Sequence, residues 1–254
     1  MAQDTEWLRN LPISHRALHN SSKGLIENTK TAVHKSIKSG FAIEVDLQLS
    51  KDNEAMVFHD ESLDRLTTAS GLLKDQTASE LKKIRFRGSR DRMQTLPELL
   101  EQVNGKVPLI LEVKSQWDNP GPLEARIVEV LHNYTGRVCV MSFDPRSVIL
   151  FRKLNPQLLR GLVSERFSDT EEWHMLSTWQ RFSARHLLSF LRSRPHFIAY
   201  HVKALPSIAT YIAKWCGLPL LSWTVRTDED LKAVASFADS PIFEGKIISK
   251  IRKK

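Results

Sequence analysis

Apolar and polar positions along this chain fall into two alternating rhythms. Short, nearly continuous apolar runs at 11–14, 41–46, 109–113, 137–143, 158–163, 197–202, 218–225 and 241–244 read as buried strands. Between them, 28–39, 123–134, 145–154, 205–216 and 228–238 carry helical spacing or strong helix formers. Gly40 predicts a left-handed stop for the first of these helices, and Asn28 or Thr29 its cap. Strands that alternate with helices predict an α/β fold with a parallel sheet. Eight such strands within 254 residues fit a (β/α)8 TIM barrel. No internal repeat, low-complexity stretch or flexible linker interrupts the pattern, so a single domain covering 1–254 is expected.

Two stretches break the alternation. After the second strand the chain stays extended over 47–50, turns at Lys51-Asp52-Asn53-Glu54 and returns over 55–58, which predicts a hairpin. A small hairpin and helical insertion is therefore expected within 47–108, with His59 delivered back to the rim of the barrel. The second stretch, 164–195, is rich in Trp, Arg and His and predicts two helices. Its Trp173, Trp179, Phe182, Leu187, Leu188 and Phe190 read first as ordinary helix core.

Composition narrows the function classes. A hydrophobic fraction of 41% and a charged fraction of 26% are those of a globular protein. No apolar run reaches the roughly 18–20 residues of a membrane span. The first ten residues have no secretory signal pattern, and two cysteines make no disulfide framework, so a reducing, cytoplasmic setting is expected. The net charge of +8 is spread thinly apart from the tail 246–254. No basic stripe interleaved with aromatics accompanies it, which argues against nucleic acid as a partner. The oligomeric state is open.

Chemistry concentrates at strand ends, where (β/α)8 enzymes keep their catalytic groups. The first strand ends in Ser14-His15-Arg16, the second in Glu44-Val45-Asp46, the third in Glu112-Val113-Lys114, and the seventh carries Trp223. Glu44 and Asp46, two apart on a strand, project from one face. Like charges so close need a neutralising cation or a raised pKa. With Glu112 they form a thiolate-free oxygen donor set, suited to one divalent cation, Mg²⁺ or Ca²⁺. The competing reading pairs them with local cations such as Lys114. His15 and His59 suit proton transfer near neutral pH, although His59 could equally be a hairpin residue hydrogen-bonded to Asp60. Arg16 and Lys114 offer fixed positive charge to a phosphate.

The ordered set His15-Arg16, Glu27-Asn28-Thr29, Glu44-x-Asp46, Phe58-His59-Asp60, Leu63-Asp64-Arg65-Leu66-Thr67, Thr95-Leu96-Pro97-Glu98-Leu99-Leu100, Leu111-Glu112-Val113-Lys114 and Trp223-Thr224-Val225 resembles the glycerophosphodiester phosphodiesterase family. The match is dense from His15 to Lys114 and thinner beyond. The resemblance implies a (β/α)8 barrel that hydrolyses glycerophosphodiesters to glycerol 3-phosphate and an alcohol. It implies metal ligands at Glu44, Asp46 and Glu112, and an acid and a base at His15 and His59. It also implies phosphate contacts at Arg16 and Lys114, and a substrate-pocket residue at Trp223. His15 is taken as base and His59 as acid, and the nucleophile is either water or the substrate's own glycerol hydroxyl.

Three departures bear on specificity. Ala17 stands where the family usually has Gly, Arg226 where it often has Asn, and Ile242-Phe243-Glu244-Gly245 where many members close with Thr-Asp. Arg226 could add an anion contact for a charged head group. Two other functions fit the same residues: a lysophospholipase-D- or sphingomyelinase-D-like lipid phosphodiesterase, and a catalytically silent phosphoester-binding protein.

Overall fold

The computed structural model describes residues 4–115, 117 and 120–251. Its elements are those of a (β/α)8 barrel: eight parallel-paired strands alternating with helices, and one antiparallel addition. All eight predicted strands are present, most shifted by a residue or two at their ends. Strand β1 (Ile13–Ser14) is only two residues long.

The chain folds as two compact units, one of which comprises Ser14–Lys114 and Pro120–Val138. Strand β2 (Ala42–Leu49) runs through its middle and is buried from Ala42 to Gln48, as expected of a strand covered on both faces. It pairs antiparallel with β3 (Ala55–Val57), the returning arm of the predicted hairpin, in the register Leu47↔Val57 and Leu49↔Ala55. On its other edge it pairs in parallel with β4 (Leu109–Val113), placing Asp46 beside Glu112. The hairpin turn closes through Ser50 N–H to the Glu54 carbonyl at 3.0 Å, with Asn53 in the left-handed region at φ 62°. The predicted insertion packs its own core from Met56, Phe58, Leu63, Leu73, Leu81 and Phe86. Within the same stretch the helix Leu96–Val103 starts on a Thr95–Glu98 capping box.

The helix expected at 28–39 begins later, at Lys30, with Thr29 as its cap and Gly40 as its left-handed stop at φ 72°. Asn28 is not its cap. It sits at φ 58° and its amide is used elsewhere, as described below.

The second unit comprises Met1–Ile13, Ser115–Asn119 and Cys139–Lys254. Strands β5 (Val138–Ser142), β6 (Leu159–Ser164), β7 (Phe197–His201), β8 (Leu220–Val225) and β9 (Ser240–Phe243) pair in parallel in chain order. The 164–195 stretch supplies two helices, Thr178–Arg185 and Phe190–Ser193, as expected. The helix expected from 205 starts at Ile208, because Pro206 lacks a donor and Ser207 takes the cap. No described helix is long and apolar enough to cross a membrane.

Candidate active site

Parallel pairing sets the site. Glu44 and Asp46 project from one face of β2, Glu112 faces the same way from the next strand, and their oxygens lie within 4.8 Å of one another. All three residues are buried, Glu44 completely. Lys114, two residues beyond Glu112, brings its ammonium to 3.0 Å from Asp46 Oδ1 and 2.5 Å from Glu112 Oε1. Arg16 donates its backbone N–H to Glu44 Oε2 at 2.7 Å, and its guanidinium lies 3.5 Å from Asp46 Oδ2. The expected charge partners are therefore real, but they leave one oxygen out. Glu44 Oε1 is buried and has no hydrogen-bond partner among the described residues.

The titration behaviour follows from this crowding. Burial, then the Asp46 and Glu112 charges, push the Glu44 carboxyl well above the usual carboxylate range. Burial also acts to raise Asp46, but Lys114, His59, Arg16 and His15 together outweigh it and hold that carboxyl below its ordinary value. Burial acts to lower Lys114, and its carboxylate neighbours reverse this and raise it.

His15 follows β1 directly and is 8% exposed. Ala17 N–H donates to the Glu44 carbonyl at 3.0 Å, which pins the His15–Ala17 turn against β2. Arg16 and Ala17 both have positive φ, 50° and 62°. Where the family usually places glycine, this chain therefore holds Ala in a left-handed conformation.

His59 is positioned by the hairpin. Phe58 N–H donates to the Asp46 carbonyl at 3.0 Å, and Gln48 Nε2 donates to the His59 carbonyl at 2.7 Å and also to that of Asp60. The hairpin reading of His59 also holds, because its Nδ1 is 2.7 Å from Asp60 Oδ1. That contact occupies one ring nitrogen, Nδ1, and is compatible with proton transfer at the other, Nε2.

Sequence reasoning missed the groups behind these side chains. Arg65 donates Nε and Nη2 to Asp60 at 2.5 and 2.8 Å, and Nη2 to Glu27 Oε1 at 2.7 Å. Glu27 in turn accepts from Arg16 Nη1 at 2.8 Å. Asn28, 1% exposed, donates Nδ2 to Asp46 Oδ2 at 2.8 Å. Each stood in a sequence motif, but nothing in the sequence said which partner it would meet.

Glu27, Glu44, Asp46, Asp60 and Glu112 set five carboxylates against the three fixed cations Arg16, Arg65 and Lys114. A divalent ion would balance that difference. The all-oxygen donor set and the unpartnered Glu44 Oε1 fit a hard cation.

Seven of the eight sequence-predicted site residues thus gather in one unit. The eighth, Trp223, lies on β8 in the second unit, its ring edge-on to Phe143 at 5.4 Å and to His201 at 4.9 Å. Phe143, Phe167 and Trp173 extend this aromatic cluster. Arg226 donates Nε to Glu244 Oε1 at 2.6 Å, so two of the three departures from the family pattern satisfy each other. The anion contact expected of Arg226 is met, on that edge, by the protein's own carboxylate.

The pattern of the Glycerophosphoryl diester phosphodiesterase family matches residues 15–243, and the chain belongs to that family of phosphoric diester hydrolases. A glycerophosphodiester phosphodiesterase of Caldanaerobacter subterraneus subsp. tengcongensis is 30% identical over 237 residues, covering 89% of each chain. Among solved structures, an Oleispira antarctica phosphodiesterase in complex with the product sn-glycerol-3-phosphate is similar at a TM-score of 0.76 and 23% identity, over 92% of this chain and 93% of that one. A glycerophosphodiester phosphodiesterase of Thermotoga maritima gives 0.70 and 22%, over 92% and 94%. At these identities the structural likeness speaks for the fold.

Proposed function

We propose that this protein hydrolyses glycerophosphodiesters to glycerol 3-phosphate and an alcohol, acting as one catalytic domain over the whole chain. The observation that carries the reading is the buried Glu44–Asp46–Glu112 cluster with an unsatisfied oxygen, flanked by His15 and His59. The product bound to the Oleispira relative supports the substrate class.

Glu44, Asp46 and Glu112 would hold one divalent cation, Mg²⁺ or Ca²⁺, which when bound supplies Lewis-acid polarisation of the phosphate's non-ester oxygens. Arg16 and Lys114 add fixed positive charge for the phosphate. His15 takes the proton of the attacking hydroxyl as its oxygen bonds to phosphorus. Water gives glycerol 3-phosphate directly, whereas the substrate's own glycerol hydroxyl first gives a cyclic phosphate, which a water then opens to glycerol 3-phosphate. The bond from phosphorus to the leaving oxygen breaks, and His59 delivers its proton there. Asp60 holds His59 by Nδ1 throughout. For Trp223, on β8 of the second unit, a substrate contact rests on the family resemblance alone. Cys139 and Cys216 are unpaired, which suits a reducing, cytoplasmic compartment.

The test is release of glycerol 3-phosphate from glycerophosphocholine, glycerophosphoethanolamine and glycerophosphoinositol, with EDTA and with Mg²⁺ or Ca²⁺ restored. Release that EDTA abolishes and a divalent ion restores supports the reading, and the relative rates rank the head groups. No release from any of the three, with metal bound, overturns it in favour of a lysophospholipid substrate or a silent binding protein.

A further inference from the structure

The helix Ile208–Trp215 is inside out. Its small residues Ala209, Thr210 and Ala213 face the core of the second unit. Ile208, Tyr211, Ile212 and Trp215, at i, i+3, i+4 and i+7, form an outward stripe with exposures of 74%, 58%, 52% and 88%. Such spacing normally marks the buried face of a helix. The stripe is not isolated. Of the eleven large hydrophobic side chains exposed among the described residues, nine lie between positions 175 and 215, Trp179 and Leu191 among them. The Trp179 and Leu188 part of the 164–195 stretch, expected as helix core, is thus on the surface, while Trp173 and Leu187 are buried.

Charge singles out the same segment. From Trp173 to Thr227 there is no Asp or Glu, while seven Lys or Arg occur. These are thin in density, and they account for all but one of the chain's net +8; two of them, Lys203 and Arg226, pair with Asp230 and Glu244 beyond the segment. Arg181, Arg185, Arg192 and Arg194 make no ion pair among the described residues.

We propose that the outward stripe Ile208–Tyr211–Ile212–Trp215, with the acid-free basic segment around it, docks this protein onto the surface of an anionic phospholipid bilayer. Trp, Tyr and branched aliphatics in a segment whose Arg181, Arg185, Arg192 and Arg194 make no ion pair among the described residues have the composition of an interfacial surface. The aromatic and aliphatic groups enter the boundary between head groups and acyl chains, and the cations meet the negative surface potential. A second copy of the chain is the poorer occupant, since it would set one net-positive, acid-free segment against another. The proposal does not depend on the catalytic reading.

Cys216 supplies a probe, being exposed at the end of this helix while the other cysteine, Cys139, is buried. The full chain, labelled at Cys216 with an environment-sensitive fluorophore, is mixed with vesicles of phosphatidylcholine alone or with about a third phosphatidylserine, and co-sedimented in parallel. Binding is expected to the anionic vesicles, with a blue-shifted label, and to weaken several-fold between about 0.05 and 0.5 M salt. The double variant Ile212→Ser, Trp215→Ser should lose at least about tenfold in partitioning, with its melting temperature unchanged. No binding to anionic vesicles, or equal binding by the double variant, overturns the proposal. So does a dimer in solution that the same substitutions disperse, which would assign the stripe to self-association.

Discussion

Replacing Asp60 with Asn tests whether the contacts behind His59 serve the reaction. The substitution keeps shape but removes the charge that His59 Nδ1 meets at 2.7 Å and that Arg65 grips with two donors. A hydrogen bond to a charged group contributes about 1.5–3 kcal/mol. The His59 and Asp60 side chains are 27% and 20% exposed, so the lower part of that range applies, about 1.5–2 kcal/mol. At about 1.4 kcal/mol per tenfold, kcat should fall roughly 10- to 30-fold. Asp60 makes no hydrogen bond or ion pair with Glu44, Asp46 or Glu112 among the described residues, so the dissociation constant for Mg²⁺ should move less than about threefold. The assay is steady-state release of glycerol 3-phosphate at saturating Mg²⁺, with metal affinity measured separately by calorimetry. Arg65→Met should reproduce part of the loss, because Asp60 then keeps its charge but not its clamp. A kcat within about threefold of wild type for Asp60→Asn, or a loss that excess Mg²⁺ repairs, would refute the assignment of Asp60 as the residue that positions His59.

Three further outcomes follow from other parts of the fold. Asn28→Ala should lower stability in urea by about 2–4 kcal/mol, combining a charged hydrogen bond to Asp46 with an alanine forced to positive φ. Asn28→Gly should recover only the backbone part, about 1 kcal/mol, so equal losses for the two would contradict that division. His196 is lowered from 6.5 to about 4 by burial and by Arg160, whose backbone N–H donates to its Nδ1 at 3.2 Å. The unfolded chain therefore binds the extra proton first, and the stabilisation, complete above pH 6.5, is lost as pH falls towards 4. The full shift is worth about 3 kcal/mol, and about half that once solvent screening is allowed for. His196→Gln should flatten the slope of stability between those limits, and an unchanged slope would mean that other groups carry it. Gly161→Ala would bring a Cβ to 2.3 Å from the buried ring of Phe197, so its unfolding midpoint should drop by an amount equivalent to about 1–3 kcal/mol.

The sequence by itself determined the fold class. Eight strands buried on both faces need continuous apolar runs, and amphipathic helices need their own period, so both rhythms are written locally and survive any detail of packing. It also determined the carboxylate pair, since residues two apart on a strand share a face whatever surrounds them. The hairpin return that delivers His59 was legible for the same reason, from a polar turn between apolar arms. Only the tertiary structure decided which partner each polar group meets. The register of β2 against β4 sets Asp46 beside Glu112, and a left-handed turn at Asn28 spends a predicted helix cap on a carboxylate instead. Arg65 and Glu27, 38 residues apart, meet by long-range closure that no local pattern encodes. The same limit explains the outward helix. Ile208, Tyr211, Ile212 and Trp215 carry the period of a buried face, and periodicity gives the spacing of a stripe but not the direction in which packing turns it.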